Sequence, residues 1–256
     1  MKAFFLPLAL LLTSGAGSAF AQISIPPGTV IPVALHGSLS TTKSKSGQMV
    51  KARVMQEIPL SDGRKIHAGA YVQGKVISVT PASNGSPARI SFEFDRLVTS
   101  KGSVPLTTSL RALASTLEIN DAQLPVYGGD RGVALAVYET TQVGGEVVYR
   151  GGGHVMDGRE IVGEPVDDAG VLVRVRANPD RNCRGTIDGN DRVQALWLFS
   201  SDACGVYGYP SVKIEHAGRT NPIGEITLNS EHGDINIRGG GGMLLRVNNP
   251  SAADGT

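Results

Sequence analysis

The stretch from residue 191 to residue 210 holds the side chains best suited to binding a ligand. Trp197, Tyr207 and Tyr209 offer aromatic faces, and Asp202 adds a carboxylate among them. Aromatic rings stack on the apolar faces of sugars and a carboxylate accepts hydrogen bonds, so these four residues suit a glycan-facing surface. The other interpretation is structural, with Trp197 as a core aromatic, and it is favoured because lone aromatic side chains are mostly core.

The chain has two cysteines, of which Cys183 precedes this stretch and Cys204 lies within it. In an exported protein an even number of cysteines indicates a disulfide first. Closing a loop of ~20 residues would stabilise the fold by roughly 3 kcal/mol in the chain-entropy model. A thiol nucleophile or a metal site would call for a reducing compartment or a CxxC-type cluster, and neither is indicated. The sequence therefore predicts a Cys183–Cys204 disulfide.

The motifs that mark common catalytic and metal sites are absent from the sequence after residue 21. It contains no G-x-S-x-G, no H-E-x-x-H and no G-x-x-x-x-G-K-[ST]. The five histidines are scattered, with no pair at i, i+2 or i, i+4. Assembly of His154, His216 and His232 into a metal site stays open, but nothing in the spacing favours it. The sequence predicts no catalytic residue, no metal and no cofactor.

The first 21 residues have the three-part layout of a secretory signal peptide. A basic start at Lys2 precedes an apolar run from Phe4 to Leu12, and small residues lead to Ala19-Phe20-Ala21. The apolar run is too short to span a membrane, which takes about 20 apolar residues. We expect cleavage after Ala21, a periplasmic or secreted protein, and no membrane span after cleavage.

Charge and composition narrow the classes of partner. Loss of Lys2 with the signal peptide leaves 23 basic against 23 acidic residues, a formally neutral protein. Nucleic-acid binding draws most of its affinity from basic surface, so a nucleic-acid partner is not expected. Apolar residues make up 41% of the chain, enough for a core, and the 33 glycines and 14 prolines indicate many turns.

The elements that must position these side chains are short strands. Between residues 25 and 110 the period-two alternation of apolar and polar residues is clearest at Ile90–Leu97, where Ile90, Phe92 and Phe94 share one face. Lys101-Gly102 is a turn, after which residues 103–109 return as a hairpin partner. Further strands are predicted at residues 28–35, 48–55 and 71–79.

A weak internal repeat lies in the same region. The segments Ile25–Ile31 and Ile66–Val72 share the pattern I-x-x-G-[TA]-x-[IV], and each continues into a strand. The pattern predicts a tight turn at Gly28 and at Gly69, used twice in one small barrel.

The order of features from Ile25 to Val79 resembles the β-barrel domain of the TrbI-like conjugal-transfer family. The shared features are a PPGTVIP opening strand, a Ser/Thr-rich segment before a Gly, an alternating strand, a D-G turn, an I-x-x-G turn and a V-x-G-x-V strand. The resemblance implies a small β-barrel and an envelope location for this part of the chain. Unlike the conjugation proteins, this chain has a cleavable signal in place of an N-terminal membrane anchor.

The character of the sequence changes after Ala114, where glycine runs separate short apolar stretches. Short strands are predicted at residues 171–176, 211–216, 224–228, 234–238 and 243–247. We therefore predict a mostly β protein with a small N-terminal β-barrel domain over 22–114. A second β-rich domain, sandwich- or barrel-like, is predicted over 115–248, and a flexible tail over 249–256.

These observations favour an exported, non-enzymatic cell-envelope protein that acts as a binding or structural module through protein–protein contacts. Its expected partners are envelope proteins or cell-wall glycan, and an exposed strand edge is one route of contact. The alternative is a periplasmic carbohydrate-binding or carbohydrate-active enzyme. A concave pocket with two carboxylates ~5–10 Å apart would favour that alternative.

Overall fold

The computed structural model describes residues 25–123, 139–140, 142–149, 155–157, 160–163, 171–174, 194–201 and 203–249. These residues form one helix and nineteen strands. The strands are β1 Val30–His36, β2 Leu39–Ser40, β3 Met49–Val54, β4 Ile58–Pro59, β5 Lys65–Ile66, β6 Tyr71–Thr80, β7 Ala88–Thr99, β8 Gly102–Pro105, β9 Thr108–Ala114, β10 Glu139–Thr140, β11 Glu146–Tyr149, β12 Val155–Asp157, β13 Glu160–Gly163, β14 Val171–Arg174, β15 Gly205–Tyr207, β16 Val212–His216, β17 Ile226–Ser230, β18 Asn236–Ile237 and β19 Gly242–Val247, and the helix is α1 Thr116–Gln123. The mostly β prediction is confirmed.

The main sheet curls into a nearly closed barrel. Its strand order is β15-β9-β19-β1-β3-β6-β7-β17-β16, with β8 added beside β7. Neighbours are antiparallel except β15, which runs parallel to β9. The two ends of the sheet approach one another where the Leu110 N–H donates to the carbonyl oxygen of Ala217, just after β16, at 2.8 Å. Closing a sheet in this way removes most of its unpaired edges.

The interior of the barrel is the larger hydrophobic core, and the period-two pattern of β7 explains how it forms. Ile90, Phe92 and Phe94 are at most 1% exposed, as the alternation predicts. The departure is Ser91, which faces outward yet is 1% exposed, and its hydroxyl pairs with the Thr227 hydroxyl at 2.7 Å. A hydroxyl pair tolerates burial because each group satisfies the other.

A second, smaller core lies on the outer face of the barrel. Outward-facing side chains of β1, β9 and β19 pack there beneath α1 and residues 196–199 and 203–207. Its members are Val30, Ala112, Ala114, Ile119, Ala122, Val143, Phe199, Ala203, Tyr207 and Leu244. Arg111 lies at the β-bulge of β9, is 3% exposed, and donates from Nε to the Ala203 carbonyl oxygen at 3.0 Å. This buried guanidinium fastens the segment around residue 203 to the barrel.

The predicted boundary at residue 115 does not separate two sheets. Strands β15, β16, β17 and β19 come from the predicted second domain, yet they join the sheet of the first. In particular, β19 lies between β9 and β1, with Leu244 opposite Pro32 and Ala112. The period of a strand predicts which face it buries and not which strand it pairs with, so sequence alone could not assign these partners.

Two further features differ from the sequence predictions. Residues 103–109 do not form one hairpin strand but are divided between β8 and β9. The last hydrogen bond to β7 runs from the Leu106 N–H to the Asp95 carbonyl oxygen, and Pro105 supplies no N–H, so the chain leaves β7 at this point. Helix α1 was not predicted, although Ser115 and Glu118 have the S-x-x-E spacing of a capping box. The Glu118 N–H donates to the Ser115 hydroxyl oxygen at 3.2 Å, which caps the helix.

Several predictions concern residues outside the described ranges. They are the signal peptide at residues 1–21, Cys183, Asp202, and all but Asn249 of the tail at 249–256. Within the described residues, no helix has both the length and the apolar character needed to cross a membrane.

Glu118, on helix α1 above the outer core, provides a pH-dependent test of how this core is packed. Burial raises the pKa of its carboxyl, with a further rise from the charge of Asp121. Because the pKa of Glu118 is higher in the folded state, the protonated carboxyl contributes to the free energy of unfolding. This contribution is fully present below about pH 4.5, the ordinary pKa of a glutamate, and is lost as the pH rises through the pKa of the folded state.

We therefore expect Glu118→Gln to stabilise the protein at pH 7 and to be neutral at pH 3.5. Chemical denaturation at both pH values measures the difference. The matched control is Glu215→Gln, an exposed glutamate on β16. A Glu118→Gln effect that is the same at both pH values would contradict the prediction.

Candidate functional site

The structure describes three of the four predicted ligand-facing residues, and Asp202 lies outside the described ranges. Tyr207 is 5% exposed in the outer core, whereas Tyr209 is half-buried against the barrel core. Burial raises the pKa of Tyr209 to about 12. Trp197 packs at the margin of the outer core.

Tyr207 and Cys204 form a local structural unit. The Cys204 N–H donates to the Tyr207 hydroxyl oxygen at 3.0 Å, and that hydroxyl donates to the Cys204 carbonyl oxygen at 3.2 Å. The Tyr207 hydroxyl therefore hydrogen-bonds to the protein's own backbone. No free cysteine occurs among the described residues. Because Cys183 lies outside them, the Cys183–Cys204 bridge stays a prediction.

Trp197 has an unusual backbone. Its φ of 51° lies in the left-handed region, which non-glycine residues seldom adopt. The Trp197 N–H donates to Gln56 Oε1 at 2.6 Å, and the Phe199 N–H closes the turn on the Leu196 carbonyl oxygen at 2.9 Å. The strained turn thus holds residues 196–199 against the β3–β4 connection.

A cavity at one mouth of the barrel was not predicted from the sequence. It has a volume of about 640 Å³ and lies between the β4–β5 hairpin, the start of β6 and the β7–β8 turn. Its apolar wall is continuous with the barrel core and comprises Ile25, Leu60, Ile66, Ala70, Leu97 and Val104. Barrel mouths are common ligand sites, and pockets of roughly 300–1,000 Å³ suit small molecules. We call this space the mouth cavity.

The internal repeat builds two walls of the mouth cavity. Gly28 and Gly69 have φ of 85° and 89°, and each N–H donates at 2.8 Å to a strand carbonyl, of Val247 and Val54 respectively. The predicted double turn is confirmed. Ile25 and Ile66, the first residues of the two copies, both line the cavity. The repeat was the one sequence signal that could have located this site.

The rim of the mouth cavity is basic. Arg64, Lys65 and Lys101 line it together with His67, and no carboxylate does so among the described residues. Arg64 pairs with Asp62 at 2.5 Å, and Lys65 pairs with Glu57 at 2.9 Å.

These pairs lower the pKa of both carboxyls. The hydrogen bond from Arg64 lowers the pKa of Asp62, and the hydrogen bond from Lys65 lowers that of Glu57. Both acids are therefore ionised at neutral pH and offset the charges of their partners. In the described part of the chain, the Lys101 ammonium has no such acidic partner.

Tyr71 supplies a rigid side to the cavity. The Lys51 Nζ lies 3.8 Å from the centroid of its ring, and the His36 ring meets it edge-on at a centroid distance of 6.0 Å. A cation over an aromatic face is attracted by the ring quadrupole, so the ring position is held from outside.

No protein-family model matches this chain, and no curated protein matches it. The resemblance to TrbI-like barrels stays a prediction. The site must be judged on its own geometry.

The lining of the mouth cavity defines what the site offers to a ligand. A glycosidase site needs a pair of carboxyl groups, and the described lining of the mouth cavity holds none. Among the described residues, no group of three or more His, Cys, Asp or Glu side chains is arranged to hold a metal ion. The mouth cavity offers an apolar volume with a cationic edge.

Proposed function

We propose that this protein is an exported, non-enzymatic binding module of the cell envelope, and that it holds an apolar group in the mouth cavity. The observation that carries the proposal is a preformed cavity of about 640 Å³ whose wall belongs to the barrel core. A cavity of this size leaves apolar wall side chains without packing partners on one side, so filling it with an apolar group is favourable.

The exported location belongs to the same proposal. It is supported by the signal-like first 21 residues, and it provides the oxidising surroundings that a Cys183–Cys204 bridge needs. Envelope proteins and cell-wall glycan remain the proposed macromolecular partners, in addition to the group held in the cavity.

Contact with a protein partner through the edge of β8 is the second candidate. Within the described residues β8 pairs only with β7, so its other edge is unpaired. This edge is poor for strand addition. Because Leu106 and Val104 direct their N–H groups at β7, Ser103 offers the only outward N–H, and Pro105 has none.

Filling the cavity tests the proposal. We expect the mature protein to bind the neutral fluorescent probe N-phenyl-1-naphthylamine, and Ala70→Phe to weaken binding about tenfold, because the new ring occupies the space of the probe. Fluorescence titration measures the affinity.

The matched control is Ala82→Phe. Ala82 is also half-buried against the barrel core but does not line the mouth cavity. Circular dichroism shows whether both variants fold. Equal loss in the two variants, or no binding by the unmodified protein, would refute the cavity as the binding site.

A further inference from the structure

We propose that the ligand of the mouth cavity is a free single-chain anionic amphiphile, with its chain along the apolar wall and its carboxylate beside Lys101. This inference rests on the proposed function and adds the chemical class of the ligand.

The wall suits a hydrocarbon chain. Ile25, Ile66, Leu97 and Val104 are between 2% and 8% exposed and present only aliphatic carbon. A hydrocarbon chain gains free energy in proportion to the apolar area it buries and needs no hydrogen-bonding partner. A sugar would leave hydroxyl groups unpaired against the same wall.

The rim selects the sign of the head group. Every charged group in the described lining is basic, and Arg64 and Lys65 already face carboxylates. Lys101 lies in the β7–β8 turn, where its backbone N–H donates to the Thr99 hydroxyl oxygen at 3.2 Å, and its ammonium has no acidic partner in the described residues. A carboxylate beside this ammonium supplies the missing counter-charge, whereas a cationic head group would be repelled.

A partner protein's extended segment is the competing occupant. Such a segment would draw its main-chain hydrogen bonds from a strand edge. The edge nearest the cavity, β8, offers a single outward N–H from Ser103, so little affinity is available from strand addition. The volume of the cavity and the charge at Lys101 favour the small amphiphile.

The test compares ligands of one chain length and different head groups. Displacement of N-phenyl-1-naphthylamine is measured with decanoate, decan-1-ol and decyltrimethylammonium, below their micellar concentrations. We expect decanoate to bind about fivefold tighter than decan-1-ol, the effect of one partly exposed ion pair, and decyltrimethylammonium to bind weakest. The preference for decanoate should shrink as salt is added.

Lys101→Met should remove the decanoate preference, so that decanoate and decan-1-ol bind with similar affinity. The control is Lys43→Met, an exposed lysine away from the cavity, which should keep the preference. Equal binding of all three ligands would overturn the anionic class while leaving the cavity function intact. If Ala70→Phe and Ala82→Phe both abolish binding of the probe, the proposed function itself is refuted.

Two further measurements, with a peptide and with lipid vesicles, identify the source of the ligand. The peptide acetyl-Glu-Leu-Glu-Leu-Glu-amide represents a partner segment, and sedimentation with phosphatidylglycerol vesicles represents a membrane. Displacement of the probe by the peptide and not by decanoate would replace the amphiphile with a protein partner. Sedimentation with vesicles that is lost in Lys101→Met would replace the free amphiphile with a membrane lipid.

Discussion

Phe92→Ala should lower the free energy of unfolding by about 3–5 kcal/mol, the usual cost of emptying a large aromatic site in a core. Phe92 is fully buried in the barrel interior, and its ring meets that of Phe94 edge to face, with centroids 5.8 Å apart. The variant loses both the transfer free energy of the ring and the contacts around the space it leaves. Urea denaturation, followed by circular dichroism, measures the change.

The control for Phe92→Ala is Met49→Ala on β3. Met49 is 67% exposed, so its truncation should change stability by no more than about 0.5 kcal/mol. A Phe92→Ala variant as stable as Met49→Ala would mean that the barrel interior is not the main core.

Gly74→Ala should be nearly as damaging, although it adds only one methyl group. Gly74 of β6 lies opposite Phe94, at a bulge of β7 where Asp95 is the extra residue and the register shifts. A Cβ at this position would lie 2.7 Å from the Phe94 Cα and closer still to the carbonyl oxygen of Glu93. Because these neighbours are backbone atoms, they can yield only by separating the two strands, and we expect a loss of about 3 kcal/mol.

Gly85→Ala separates this clash from the general cost of replacing a glycine. Gly85 has a φ of 81° with open space around it, so its substitution should cost about 1 kcal/mol, from backbone strain alone. Thermal and urea unfolding of both variants gives the comparison. Equal destabilisation by the two substitutions would contradict the bulge geometry.

The Gly74 bulge also bears on the binding site. The β6–β7 ladder continues from Gly74 to the pair Tyr71 and Val98, and both of those residues line the mouth cavity. A shift of register at the bulge would displace this wall. Gly74→Ala should therefore weaken N-phenyl-1-naphthylamine binding under conditions in which the variant is still folded.

Much of the local structure could be predicted because it depends on neighbouring residues. The alternation at Ile90, Phe92 and Phe94 predicted one buried face, and the pattern I-x-x-G predicted left-handed turns at Gly28 and Gly69. Period-two spacing sends successive side chains to opposite faces, and only glycine adopts a positive φ without a steric penalty. Such rules apply wherever the strand ends up.

The position of the aromatic residues shows where local rules stop. Trp197, Tyr207 and Tyr209 are close in sequence and looked equally able to face a ligand. In the fold, Tyr207 enters the outer core and Tyr209 reaches the barrel core. Their types alone could not distinguish these sites, because burial depends on what packs above each residue.

The sequence by itself determined the strand faces, the turns and the mostly β class. Only the tertiary structure decided that β19 lies between β9 and β1 and that Ile25, Ile66 and Lys101 meet at one cavity. The physical reason is that strand pairing and cavity walls arise from contacts between residues far apart in the chain, and a period-two pattern carries no information about which distant strand will supply them.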